Sequence, residues 1–195
     1  MNNMEAQQKA SAFDVMNGTE SQGAINRSWR KGDLFLRGLA LILTLSGAIV
    51  LGVNKQTKLV PVKILDSLPA LNVPAEAKWH YLSAFVYFVV TNAIACSYAA
   101  LSMLLSLSGK KGFVPIIMII DLLMVALLFS SNGASTAIGV MGYEGNSHVR
   151  WNKVCDVFDK FCNQTAVAVA LSLLGSTVFL LLVVLAALHL NKNSK

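Results

Sequence analysis

Four stretches of this chain are too long and too apolar for a soluble protein. They are residues 33–53, 81–107, 114–142 and 165–190. Each exceeds the roughly 18 apolar residues that mark a membrane-spanning helix. With 55% hydrophobic and only 13% charged residues, the chain lies outside the composition of an ordinary soluble domain. We therefore predict an all-α membrane protein, a bundle of four transmembrane helices with no soluble domain between them.

Charge and aromatic residues at the segment ends indicate the topology. Residues 1–32 have the polar composition of a disordered tail, and Trp29 and Arg30 at its end are typical of a membrane face. Lys110 and Lys111 fill the short turn at 108–113, whereas acidic residues dilute the lysines of the other two loops. The positive-inside rule then predicts that both termini are cytosolic. The predicted extracellular loops are residues 54–80 and 143–164, and the C-terminal tail is residues 191–195.

Several function classes are excluded by what the loops contain. The formal charge is +6, but Lys and Arg are spread over every loop, so we expect no nucleic-acid binding. The loops carry no nucleophile, metal or phosphate motif at the spacing that catalysis needs. We expect no enzymatic activity, cofactor or metal.

Two charged residues lie inside the predicted spans. Arg37 and Asp121 start about 5 Å and 10 Å from the inner face at 1.5 Å per residue, on helices that run in the same direction. A bidentate ion pair inside one bundle fits these depths. The alternatives are that Arg37 reaches the headgroups alone, or that the two charges form a subunit contact or an ion path.

Other polar and small residues inside the spans indicate contacts between helices. Asn92, in the middle of the second span, is predicted to form an interhelical hydrogen bond. Pairs of small residues four apart permit close approach, either inside the bundle or between subunits. These pairs are Ala93/Ser97, Cys96/Ala100, Ser130/Ala134, Gly133/Ala137 and Ser135/Gly139.

The second outer loop contains two cysteines, Cys155 and Cys162. On a continuous helix they would be about 10.5 Å apart along the axis, beyond the roughly 7 Å limit for a disulfide. An extracellular position favours oxidation. We predict a disulfide and, with it, a bend in the segment; a metal site with His148 and free thiols are the alternatives.

The sequence resembles the plant CASP-like proteins, relatives of the Casparian strip membrane domain proteins. The matching strings are NKQT at 54–57, AFVYFVVTNAIACSY at 84–98 and GNSHVRWNKVCDVFDKFC at 145–162. The resemblance implies a MARVEL-like four-helix protein of the plasma membrane with cytosolic termini. By that likeness, Arg37 and Asp121 match the charged positions of the family, and Cys155 and Cys162 match its loop cysteines. The segment DSLPALNVP at 66–74 lacks the aromatic run of the strip-forming members, which places the chain outside that subgroup.

The resemblance also implies a function. Its strip-forming members are immobile scaffolds that exclude other membrane proteins and direct local cell-wall modification. We therefore expect a non-catalytic scaffold that forms homo-oligomers, forms hetero-oligomers with related proteins, contacts membrane lipid and recruits cell-wall enzymes. The alternative is a small channel or transporter in which Asp121, Asn92 and Arg37 line a polar path.

Overall fold

The computed structural model describes residues 30–62, 71–107, 114–145, 148 and 153–193. The predicted N-terminal tail, apart from its last residues, lies outside this part of the chain. The predicted turn at 108–113 and the basic residues within it also lie outside the described residues.

Four helices dominate the structure, and each is long and apolar enough to cross a membrane. They are α1 at Arg30–Gly52, α2 at Ser83–Leu107, α3 at Val114–Glu144 and α4 at Asp159–Asn193. The predicted fold class, a membrane protein built from a four-helix bundle, is confirmed.

The outer ends of α3 and α4 extend beyond the predicted spans. Helix α3 stops where Gly145 adopts a φ of 70° and donates its N–H to Met141 O over 3.0 Å, a left-handed ending that glycine adopts without steric cost. Helix α4 begins at Asp159, whose carboxylate complements the positive end of the helix dipole, rather than at residue 165. Its 35 residues span about 52 Å, which exceeds the roughly 30 Å hydrocarbon layer. The helix is therefore longer than the layer that it would cross.

A β-hairpin occupies the first outer loop, where the sequence analysis predicted no strand. Strand β1, Lys55–Val62, pairs antiparallel with β2, Leu71–Lys78, and the register runs from Lys55 opposite Lys78 to Val62 opposite Leu71. Pro74 is tolerated because both strands of a two-stranded sheet are edge strands, so its missing N–H can face away from the partner. A 3₁₀ turn at Trp79–Tyr81 then leads into α2.

Buried apolar side chains form two separate clusters along the bundle. The inner cluster, nearer the predicted cytosolic side, contains Ala40, Ala95, Ala99, Val125, Leu128, Val178, Phe179 and Leu182. The outer cluster contains Leu51, Phe85, Phe88, Phe158, Phe161, Ala168 and Val169. Because Phe158 and Phe161 precede or begin α4 and belong to the outer cluster, the first turns of this helix are packed on the bundle.

Two glycines let α1 and α4 approach each other closely. A Cβ at Gly175 would lie 3.0 Å from Thr44 Cγ2, and one at Gly47 would lie 3.2 Å from Ala168 O. Neither glycine belongs to the small-residue pairs predicted from the sequence. Of those pairs, Ala93, Ser97, Gly133 and Ala137 are exposed on the outside of the bundle, so packing inside the bundle is wrong for them.

Candidate functional site

The inner half of the bundle encloses a charged network centred on Arg37. This residue lies about two turns into α1 on the face that points into the bundle, and it is 3% exposed. Asp121 lies two turns into α3 and is completely buried. Because ionised groups are costly in such surroundings, each needs a close partner.

The structure brings these two residues together within one chain. Arg37 Nη2 lies 3.1 Å from Asp121 Oδ2, and Nη1 lies 3.3 Å from Oδ1. The two nitrogens therefore meet the two oxygens in the parallel, bidentate arrangement that fixes a guanidinium most firmly. This geometry corresponds to the intramolecular alternative of the sequence analysis.

A second carboxylate, Asp33, completes the arginine contacts. Arg37 Nε lies 3.1 Å from both Asp33 oxygens. Arg37 Nη1 also donates to Ser102 Oγ over 2.9 Å, and Ser106 donates to Asp33 Oδ2 over 3.0 Å. Asp33 was not among the predicted site residues, although its spacing of four residues before Arg37 is a recognised signal for a helical ion pair.

The network ties three helices together. Asp33 and Arg37 lie on α1, Ser102 and Ser106 on α2, and Asp121 on α3. Among these described groups, two carboxylates share one guanidinium, and the arginine directs both sides of its planar fork at acceptors. Lys cannot replace Arg in such an arrangement, because one ammonium group cannot bond to two carboxylates in that geometry. Chemically, the network fixes the relative positions of the three helices.

Asn92 requires a correction to the sequence analysis. Its Nδ2 donates to Phe88 O, one turn earlier on the same helix, over 2.9 Å. No described residue of another helix bonds to it, so the predicted interhelical hydrogen bond is wrong. The physical reason is reach, because a short amide side chain facing its own preceding turn finds that carbonyl first. Its Oδ1 is buried and has no partner among the described residues.

At the outer end, the predicted disulfide joins Cys155 and Cys162 with their Cα atoms 5.7 Å apart. The backbone turns at residues 155–157 before α4 begins, and this supplies the bend that a continuous helix would lack. The N–H groups of Val154 and Cys155 both donate to Gly142 O, over 2.9 and 3.1 Å. The bridged loop is thus fixed to the end of α3 as well as to α4.

The NKQT string fixes the hairpin to the start of α4. Asn54 donates to Phe161 O over 2.9 Å and is completely buried. Gln56 accepts the N–H of Phe161 over 2.8 Å, which satisfies one of the amides that every helix start leaves unpaired. Lys58 pairs with Asp159 over 3.0 Å on the surface. In the sequence this string is only a family likeness, and the structure gives it a physical role.

An exposed ion pair lies at the end of β2, near α2. Lys78 bonds to the Glu76 carboxylate, and its Nζ lies 5.7 Å from the centre of the Tyr81 ring. The hydrogen bond from Lys78 and its charge hold the pKa of Glu76 below its usual range, and the same contact raises the pKa of Lys78. Because both groups are in water, the pair contributes little to stability.

Known proteins resemble this chain over most of its length. A sequence model described as the Casparian strip membrane protein domain matches residues 26–178. A CASP-like protein 1E1 of Populus trichocarpa is 63% identical over 194 residues, covering 98% of this chain and all of the relative. A CASP-like protein 1E2 of Vitis vinifera is 64% identical over 84% of this chain and 85% of its own length. In Arabidopsis thaliana, a CASP-like protein 1E1 is 52% identical over 95% of this chain and 98% of its own length. No solved structure matches the chain.

Proposed function

Because this chain belongs to the family of the Casparian strip membrane protein domain, we propose that it is a non-catalytic scaffold of the plasma membrane. In this role it forms homo-oligomers and hetero-oligomers with related proteins. The assembly organises a membrane domain, contacts lipid and recruits cell-wall enzymes to its outer face. Since residues 66–74 lack the aromatic run of the strip-forming members, that domain is one other than the Casparian strip itself.

The observation that carries this proposal is the pairing of the charged groups inside the bundle. The charges inside the spans are bonded to one another within one chain, with Arg37 held by Asp33 and Asp121. The lipid-facing surfaces therefore need no charge to be neutralised on association. Helix association in lipid depends instead on close packing, which small residues permit.

Small residues are exposed on two of these surfaces. On α3, Ser130, Gly133 and Ala137 follow one another along the outside, and on α2 Ala93 and Ser97 do the same. Nothing lies within 4 Å of a Cβ added at Gly133, so this glycine serves no contact among the described residues. These faces support the subunit-interface alternative that the sequence analysis left open.

The outer end supports the recruiting role. The hairpin and the bridged loop are joined to the helices by the Asn54 and Gln56 contacts and by the disulfide. A surface held in this way loses little conformational freedom when a partner binds, which favours recognition. Leu59, 68% exposed on β1, is an apolar residue that such a partner could cover.

The experiment that tests the proposal is self-association of the full chain in lipid nanodiscs and mild detergent, measured by crosslinking and native gels. Gly133→Leu is expected to weaken the oligomer, because the larger side chain separates the α3 faces. Ala187→Leu, which places the same side chain on the exposed surface of α4, is the control. Monomer alone, over a wide concentration range, would refute the scaffold.

The channel alternative meets an obstacle inside the bundle. Between the level of Asp121 and that of Asn92 lies the inner cluster, in which Leu128 and Phe179 are completely buried. A polar path would have to cross these side chains, and a packed apolar segment that excludes water blocks the passage of ions. A selective flux in liposomes that Asp121→Asn abolishes would favour the channel over the scaffold.

A further inference from the structure

A layer of buried polar residues separates the inner and outer apolar clusters. On α1, α2 and α4 these residues lie in sequence between members of the two clusters, and on α3 they lie between Leu128 of the inner cluster and Ile138, which packs against the outer cluster. We call them the polar layer: Thr44 on α1, Thr91 and Asn92 on α2, Ser131 and Asn132 on α3, and Ser172 and Ser176 on α4. All are at most 4% exposed, and none is charged.

These residues lie at one level of the bundle. Ser102 and Asp121 both contact Nη1 of Arg37, so they mark the same depth on α2 and α3. Moving about 15 Å outward from each along its helix reaches Asn92 and Ser131. Contacts then extend the level to the other two helices, since Asn132 Nδ2 lies 3.2 Å from Ser176 Oγ, and Gly175 packs on Thr44.

Three atoms of the polar layer have no hydrogen-bond partner among the described residues: Asn92 Oδ1, Asn132 Oδ1 and Ser172 Oγ. The orientation of both amides is determined by their other contacts. Ser176 uses its one O–H to bond Ser172 O over 2.8 Å, so it must accept from the nitrogen of Asn132. Asn92 likewise has to present its nitrogen to the carbonyl of Phe88. Two acceptors and one hydroxyl are therefore left facing the interior.

We propose that the polar layer is a binding site for internal water. One water molecule donates two hydrogen bonds and accepts others, which matches two amide oxygens and one hydroxyl that can donate. Buried polar groups without partners are costly, and buried water commonly supplies about three bonds to such groups. The inference concerns the middle of the bundle and goes beyond the scaffold function.

The alternative occupant of an oxygen-lined site is a monovalent cation, and the charges argue against it. The described residues of the polar layer are neutral, so a cation would be buried without a counter-charge. Among the described residues, the nearest buried carboxylate is that of Asp121, which is about 15 Å away along the bundle and is already paired with Arg37. Water needs no such compensation.

Nuclear magnetic resonance on the full chain in nanodiscs, with ¹⁵N-labelled asparagine, tests the proposal. We expect cross-relaxation between water and the side-chain amide protons of Asn92 and Asn132, with the rotating-frame sign of a bound molecule rather than of proton exchange. Ser172→Ala removes one partner and is expected to cause loss of these cross-peaks. Thr177→Ala, which removes an exposed hydroxyl bonded only to its own helix at Leu174 O, is expected to leave them unchanged.

Each other outcome contradicts the proposal, either the presence of water or its bonding to all three atoms. If the folded wild-type chain shows no cross-relaxation at either asparagine, the polar layer is dry; this measurement does not depend on whether the variant folds. Cross-peaks that persist in a folded Ser172→Ala variant would exclude the three-partner arrangement. Asparagine resonances that shift on titration with Na⁺ or K⁺ would assign the site to a cation.

Discussion

From the contacts of Arg37 we predict that substitutions at the two ends of its ion pair with Asp121 destabilise the protein to different extents. Arg37→Gln leaves Asp121, completely buried, and Asp33 beside it without their shared cation. Removing one partner from a buried pair typically destabilises a protein by about 3–5 kcal/mol. Asp121→Asn is milder, because the guanidinium keeps Asp33 and Ser102 and an amide oxygen still accepts one bond. The cost expected for that loss is about 1–3 kcal/mol.

The double variant, Arg37→Gln with Asp121→Asn, tests whether the two residues are coupled. Once Arg37 is glutamine, a neutral residue at position 121 removes the uncompensated carboxylate, so Asp121→Asn should be less harmful there than in the wild type. The coupling between the two changes should lie within the range of about 0.5–3 kcal/mol found for contacting residues.

The free energy of unfolding can be measured by circular dichroism during titration with sodium dodecyl sulfate from mild-detergent micelles. Arg30→Gln is the matched control, because it removes an exposed arginine from the same helix and should change stability by no more than about 0.5 kcal/mol. The reasoning would be refuted if Asp121→Asn were as damaging as Arg37→Gln and the two losses were strictly additive.

Three further predictions concern other parts of the structure. Gly175→Ala should destabilise the bundle by about 1–3 kcal/mol, because the added Cβ would lie 3.0 Å from Thr44 Cγ2, whereas Gly133→Ala should be neutral in the same unfolding assay. Gln56→Leu should raise the hydrogen-exchange rate of the Phe161 amide, whose bond to Gln56 it removes, while Thr57→Ala on the exposed face should not. Cys155→Ser should loosen the outer loop at a cost of about 2.5 kcal/mol by the loop-entropy estimate, yet exchange protection at the inner cluster should persist, since the disulfide contacts none of its residues.

The helices could be predicted from the sequence, and the central ion pair could be proposed from it, because both depend on distances counted along the chain. Span length follows from the thickness of the bilayer, and the depth of Arg37 and Asp121 follows from 1.5 Å per residue. The ion pair of Asp33 with Arg37 could also have been predicted, from the spacing of four residues between them. The hairpin was harder to predict, because its strands depend on docking to α4 through Asn54 and Gln56, residues whose partners lie more than 100 positions away.

The small residues show where sequence reasoning fails in a membrane. In a soluble helix, apolar periodicity distinguishes the buried face from the exposed one, but lipid is as apolar as the bundle interior. Gly133 and Gly175 therefore look alike in sequence, although Gly133 is exposed and Gly175 lies against Thr44. Only the positions of polar side chains separate the two faces, and Asn132 beside Gly133 gives an ambiguous signal because adjacent helical residues point in different directions.

Helix α3 connects the internal contacts with the proposed assembly. At successive levels its inward face bonds to the rest of the bundle through Asp121 to α1, Asn132 to α4 and Ser135 to α2, and its outer end accepts the bridged loop at Gly142. A helix held at so many levels cannot adjust its rotation when a neighbour docks. Its exposed small residues are thus presented in a fixed orientation, which lowers the entropy that association must overcome. If α3 is the face used between subunits, weakening the Arg37 network should weaken the oligomer even though Arg37 itself is buried inside one chain.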